Sequence, residues 1–193
     1  ILLSDIDITN FGMTVNKQAG IDIRGEVAMK NISISGVKPG QSGVRFRFTG
    51  EGDNGSGGIN SSLIDSKISG VADGGVGINV TNLGNTIQST VVSGKGGQGI
   101  GIRVAAVDEP DADTNTRISF VAMLNLDTGI EANARGITID APVFLANNVP
   151  LSDRLGSTTV TNSVFSNNDT SKQDFSRPTV EFQPPREEKN NWF

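Results

Sequence analysis

Arginine, asparagine and carboxylate side chains recur at matching places in a set of short alternating segments. They are the residues of this chain best suited to gripping an anion. The segments are Gly20-Ile21-Asp22-Ile23 with Arg24, Gly43-Val44-Arg45-Phe46-Arg47-Phe48, Gly75-Val76-Gly77-Ile78-Asn79-Val80, Gly99-Ile100-Gly101-Ile102-Arg103-Val104 and Gly129-Ile130-Glu131-Ala132-Asn133-Ala134. In an extended strand successive side chains take opposite faces. Val44, Phe46 and Phe48 therefore share one face and Arg45 and Arg47 the other. The same rule sends Ile21, Ile23, Val76, Ile78, Val80, Ile100, Ile102, Val104, Ile130, Ala132 and Ala134 inward. Asp22, Arg24, Gly77, Asn79, Gly101, Arg103, Glu131 and Asn133 go outward. Stacked as neighbouring strands about 4.8 Å apart, the segments would hold Arg47 and Arg103 about 10 Å from each other with Asn79 between them. Guanidinium groups so placed bind carboxylate or sulfate in bidentate fashion. The ligand-binding set expected on this face is Arg45, Arg47, Asn79, Arg103 and Glu131, with an acidic polysaccharide as ligand. The plain alternative is that an exposed strand face has to be polar, and cross-strand ladders of this kind commonly just stabilise a sheet.

A second cluster is acidic. Asp108-Glu109-Pro110-Asp111-Ala112-Asp113-Thr114-Asn115 brings several oxygen donors into one loop. Asp108, Asp111 and Asp113 are the candidate metal ligands, and Ca²⁺, the only cofactor the chain suggests, is the ion such donors suit. The loop is not an EF-hand: Thr116 stands where that motif needs Gly and Ala122 where it needs Glu. Short acidic runs are otherwise ordinary solvated loops.

Catalysis has little to work with. The chain contains no His, Cys or Tyr, which removes thiolate chemistry, the usual nucleophilic triads and a tyrosine acid or base. An Arg- or Lys-based lyase survives, with Lys67 or an arginine as the base, but such a base needs a strongly depressed pKa. Asp22 with Glu131, or Asp65 with Asp73, are conceivable carboxylate pairs, and no spacing selects either. Asn31, Asn54, Asn60, Asn79 and Asn168 open Asn-x-Ser/Thr triplets, about as many as this composition supplies by chance.

The elements that position these residues are short strands. A second phrase runs ahead of the first: Ile34-Ser35-Gly36, Ile68-Ser69-Gly70 and Val92-Ser93-Gly94, then more loosely Leu124-Asn125, Leu145-Ala146-Asn147 and Phe165-Ser166-Asn167. Fixed strand templates joined by turns of changing length are what a β-solenoid requires. No window carries a helical stripe, and glycines interrupt every candidate. A β-sandwich also has many short strands, but it does not predict that inward and outward slots repeat. The fold expected is all-β: a single-stranded parallel β-helix of about six to seven rungs over residues 1–170, followed by an extended Pro-containing tail over 171–193. One inner column should hold Ile34, Ile68 and Val92. Another should hold Val44/Phe46, Val76/Ile78, Ile100/Ile102 and Ile130/Ala132. The long connections Thr49–Ser62 and Ala105–Thr116 should leave one corner and wall the arginine face.

The Ser-Gly turn followed by Gly-Ile-x-Ile resembles the right-handed parallel β-helix superfamily, which includes pectate-lyase-like, tailspike-like and adhesin-passenger-like folds. Right-handedness is implied by the resemblance. Pectate-lyase-like enzymes carry an active site on the corresponding strand face, with Arg or Lys acting on the sugar. Their WIDH and RxPxxR signatures do not occur here. Phe144-Leu145-Ala146-Asn147 and Phe165-Ser166-Asn167-Asn168 resemble the Phe-x-x-Asn repeats of polymorphic outer-membrane passengers, without the companion Gly-Gly-Ala-aliphatic motif.

Bulk properties bound the rest. One domain is the natural count for 193 residues. A net charge of −5 argues against a nucleic-acid partner, which needs a concentrated positive surface. No apolar run reaches the roughly 18 residues that span a bilayer. The chain opens inside what reads as a strand, Leu2 to Thr9, as a piece of a longer protein would. Two functions stay open. One is a non-catalytic extracellular or cell-surface module (adhesin, envelope scaffold or fibre segment, a virion surface included) that meets neighbouring copies or domains of a larger assembly. The other is a β-helix that binds or cleaves acidic polysaccharide, such as a lyase or phage tailspike depolymerase.

Overall fold

The computed structural model describes residues 1–9, 11, 18–47, 60–105 and 113–169. They form a parallel β-solenoid of about six turns, all-β and without helix. The first two turns hold two strands each: β1 (Leu2–Thr9) with β2 (Ala19–Ile23), and β3 (Ala28–Ser35) with β4 (Ser42–Phe46). From the third turn the long strand divides. The next turns are β5 (Ser62–Ile64), β6 (Lys67–Val71), β7 (Val76–Val80); β8 (Thr86–Gln88), β9 (Val91–Gly94), β10 (Ile100–Ala105); β11 (Asp113–Ser119), β12 (Ala122–Leu124), β13 (Thr128–Asn133); and β14 (Arg135–Asp140), β15 (Val143–Leu145), β16 (Val149–Asp153). β17 (Thr159–Thr161) and β18 (Val164–Ser166) follow. Every strand pair is parallel. The first and second sides of the turns join in a 12-stranded sheet because β3 runs across both, and the third sides make a 6-stranded sheet.

The first and second sides each stack an apolar column into the core, and the third side stacks two, the further one running Ile23, Phe46, Val80, Val104 and Ala132. Met29, Leu63, Ile87, Ile118, Ile139 and Val160 follow one another on the first side. Ile34, Ile68, Val92, Met123, Phe144 and Phe165 follow on the second, with Phe144 and Phe165 stacked at 5.0 Å. Ile21, Val44, Ile78, Ile102, Ile130 and Leu151 line the third. Burying each such side chain is worth about 1.5–3 kcal/mol. Thin layers of Ile and Val can fill the core because identical slots repeat at the strand spacing.

The expected Ile34, Ile68, Val92 column is present, and β2–β4 and β7–β10 pair as expected, but the β4–β7 and β10–β13 registers differ from expectation by two residues. Val44 pairs with Ile78, and Val76 pairs with Ser42 and Ile100. Gly43 is therefore level with Gly77 and Gly101, and Gly75 and Gly99 belong to the turn before the strand. Two-residue slips preserve alternation, so the sequence pattern alone could not separate the registers. Gly77 and Gly101 also do not face outward as expected. A Cβ at Gly77 would lie 2.5 Å from Val92 Cγ1 and 2.6 Å from the Gly101 carbonyl oxygen, so that slot points at the second side. Ile100 is only half-buried.

Two of the three loose second-side rungs slip by one, and the third, at Phe165, does not. Met123 and Phe144 are the buried residues, while Leu124 and Leu145 face out, with Leu145 at 39 % exposure. Apolar residues occupy both faces there, and alternation cannot choose between them. Phe120, Val143 and Val164 join Leu145 as exposed apolar side chains.

Two corners turn through the left-handed region. Asp5, Asn31, Asp65, Ser89, Phe120, Ala141 and Asn162 separate the first side from the second, with φ between 49° and 56°. This geometry suits Asn and Asp and costs about 1–2 kcal/mol for other residues. Interior hydroxyls support it: Ser66 Oγ accepts from Ile32 N–H at 3.1 Å and donates to the Ile64 carbonyl at 2.8 Å. Gly36, Gly70, Asn125, Ala146 and Asn167 make the second corner; all but Ala146 stand at the Gly/Asn position of the recurring phrase, and Gly94 stands there without a positive φ.

At the first corner Asp140 accepts from Thr161 Oγ1 at 2.6 Å and Asn162 Nδ2 at 2.8 Å. The Thr161 bond, then that of Asn162, holds its carboxyl below the ordinary 3.8. The unfolded chain takes up this proton first, so the stabilisation is complete above about pH 4 and lost as pH falls through the folded value. Asp140 is solvent-exposed at its carboxylate, and the effect is small. Melting temperatures at pH 7 and pH 3 should draw closer together in Asp140→Asn than in the parent. An equal drop in both proteins would contradict the assignment.

Candidate functional site

The charged outward residues of the third side do form a ladder. Asp22, Arg45, Asn79, Arg103, Glu131 and Ser152 are successive register partners from β2 to β16. Four of the five expected ligand-binding residues thus share one column. Arg47 does not: the two-residue register correction moves it one column along, level with Thr81, whose N–H donates to the Phe46 carbonyl at 2.8 Å. The expected Arg47–Asn79–Arg103 triple is replaced by Arg45–Asn79–Arg103.

These ions are engaged with one another. Arg103 Nε donates to Glu131 Oε2 at 2.8 Å, and Asn133 Nδ2 donates to Glu131 Oε1 at 2.7 Å, leaving the Glu131 side chain 13 % exposed. Arg47 pairs with the Asp22 carboxylate, and Arg24 approaches the same oxygen at 4.0 Å. Arg45 Nη2 donates to the Gln18 carbonyl at 3.1 Å. Chemically the face holds two ion pairs across adjacent turns, Arg103 with Glu131 and Arg47 with Asp22, while Arg45 is held by a backbone carbonyl.

The acidic cluster falls mostly outside the described residues, which include neither Asp108 nor Asp111. Asp113 is described and does not lie in a turn: it begins β11, opposite Arg135 in the ladder. The connection expected over Ala105–Thr116 is therefore shorter at its end, since Thr114, Asn115 and Thr116 already belong to the strand. Ser62 likewise opens β5. Both connections leave the third side and return to the first, from β4 to β5 and from β10 to β11. Their courses, the tail over 171–193 and the Asn54 triplet are outside the described residues. Among the described residues no group of three His, Cys, Asp or Glu could hold a metal ion, and no helix is long and apolar enough to cross a membrane.

Sequence reasoning passed over the outer face of the first side. Ala28, Ser62, Thr86, Arg117, Thr138 and Thr159 form one register column there. It floors a groove of about 480 Å³ lined by Asn60, Ser61, Ser62, Gly84, Thr86, Asn115, Arg117, Gly136 and Thr138. The signal in the sequence was a polar–aliphatic–polar triplet, Thr86-Ile87-Gln88, Arg117-Ile118-Ser119, Thr138-Ile139-Asp140 and Thr159-Val160-Thr161, with Ser62-Leu63-Ile64 departing from it at Ile64. No glycine punctuates it, and three residues are too few for alternation to register.

The fold and the two outward ladders define a parallel β-solenoid with polar faces. No family model, curated protein or solved structure matches the chain.

Proposed function

We propose that this chain is a non-catalytic module of an extracellular or cell-surface protein: an adhesin, envelope scaffold or fibre segment acting beside neighbouring copies or domains. The observation that supports it most is the closure of the third-side ladder. A lyase face needs a base free to take a proton and a cation free to meet a uronate carboxylate. Here Arg103 is held by Glu131, Arg47 by Asp22 and Arg45 by a backbone carbonyl. Pairs that bridge successive turns stiffen a rod. With His, Cys and Tyr missing from the composition, the remaining acid–base groups ordinarily titrate far from neutrality.

Incubating the protein with polygalacturonate, alginate and hyaluronate while following unsaturated-uronate absorbance and reducing ends should give no turnover. Turnover that disappears in Arg103→Ala or Arg45→Ala would replace this reading with a polysaccharide lyase.

A further inference from the structure

We propose that the groove on the outer face of the first side is a binding site for a linear anionic polysaccharide, with Arg117 gripping a carboxylate or sulfate. The proposal rests on the reading of the chain as a surface module and gives that module a ligand.

Arg117 differs from the third-side arginines in its surroundings. Its register neighbours are Thr86 and Thr138, neither a carboxylate. Among the described residues no hydrogen bond or ion pair engages its side chain, and the side chain is exposed. The carboxylate at the margin of the groove, Asp113, lies against Gly136 and opposite Arg135 in the ladder.

The rest of the lining reads as a sugar-binding surface. Ser61, Ser62, Thr86 and Thr138 supply hydroxyls, Asn60 and Asn115 supply carboxamides, and Gly84 leaves its wall low, while the Asp113 carboxylate fills the space beside Gly136. Hydroxyls and carboxamides both donate and accept, as a polyhydroxylated ligand requires. Ser62, Thr86, Arg117 and Thr138 stand on successive turns, so the polar floor runs about 14 Å across the strands. That repeat favours an extended polymer lying along the solenoid axis. A peptide would need an open sheet edge or apolar pockets, and a lipophilic ligand would need an apolar lining; the groove has neither. A nucleic acid would need several cations along its phosphates or aromatic side chains to stack its bases, and the lining has a single arginine and no aromatic residue.

Affinity electrophoresis of the intact protein through gels containing polygalacturonate, dextran sulfate or neutral dextran tests this. Retardation is expected with at least one anionic polymer and not with dextran. The first two polymers separate a carboxylate ligand from a sulfated one. Arg117→Ala should weaken binding about tenfold, the size of one charge-assisted contact. Arg117→Lys should restore part of it, and Arg45→Ala should leave it unchanged. Circular dichroism confirms that each variant is folded. Absence of retardation in all three gels, or binding that survives Arg117→Ala and fails in Arg45→Ala, overturns the groove. Neither result touches the non-catalytic reading, which falls only if the polymer is cleaved.

Discussion

Gly101→Val is expected to cost about 3 kcal/mol or more, lowering the melting temperature by roughly 6–12 °C in a domain of this size. The cause is packing and not backbone conformation, because Gly101 is not among the residues with positive φ. A Cβ there would sit 2.6 Å from Met123 Sδ and 2.9 Å from Leu126 Cδ1, and would also press on the Gly129 carbonyl oxygen. A sulfur can swing aside, but the carbonyl belongs to the ladder between β10 and β13, whose spacing is set by hydrogen bonds. Gly20, Gly43, Gly77, Gly101 and Gly129 succeed one another in this way, each crowded by the next turn's carbonyl. Gly96→Ala is the contrast. Nothing lies within 4 Å of a Cβ at Gly96, and only its φ of 71° resists the change, at about 1–2 kcal/mol. Thermal or urea unfolding of the two variants decides the matter. A Gly101→Val protein as stable as Gly96→Ala would show that this corner is not tightly packed.

Asn147→Leu should be nearly as damaging, at about 2–5 kcal/mol, because it strands two buried backbone groups at about 1–3 kcal/mol each. Asn147 is 1 % exposed. Its Oδ1 accepts from Leu126 N–H at 3.1 Å, and its Nδ2 donates to the Met123 carbonyl at 2.9 Å and to Asn168 Oδ1 at 3.2 Å. Asn168 repeats the arrangement one turn on, accepting from Asn147 N–H at 2.9 Å and donating to the Phe144 carbonyl at 3.0 Å. Leucine is the informative replacement because Leu126 occupies the same place one turn earlier, fully buried. Volume is thereby accommodated and the hydrogen bonds alone are removed. Faster exchange of the Leu126 amide together with a lowered melting temperature is expected. Unchanged stability would mean that the asparagine ladder is dispensable.

The Phe-x-x-Asn repeat noticed in the sequence acquires a physical meaning from these bonds. Phe fills the inner column of the second side, and Asn three residues later staples the corner to the preceding turn. A motif spacing could show that the two travel together. It could not show that the amide reaches backwards by one turn, because that contact joins residues 21 or more apart.

On the third side the slots of the large aliphatic and the charged residues were set by residue types, while those of Gly77 and Gly101 and the inward choice at Met123 and Phe144 on the second side were not. Ile, Val and Phe alternate with Arg, Asn, Asp and Glu in Gly43–Phe46 and its relatives, and with so little helical periodicity a stack of short parallel strands was the packing that satisfied every segment. Burial of Ile78, Val80, Ile102, Val104 and Ile130 follows from that pattern. Register was beyond it. A slip of two residues keeps every side chain on its face, so only the three-dimensional fit of Gly43, Gly77 and Gly101 against neighbouring carbonyls could choose the pairing that puts Arg45, and not Arg47, beside Asn79 and Arg103. Tertiary structure also decided which arginines are spent. Arg103 and Arg117 look alike in the sequence, each preceded or followed by aliphatic residues. One lands above a glutamate and the other between two threonines, because what stands on the adjacent turn is a matter of turn length and not of local spacing.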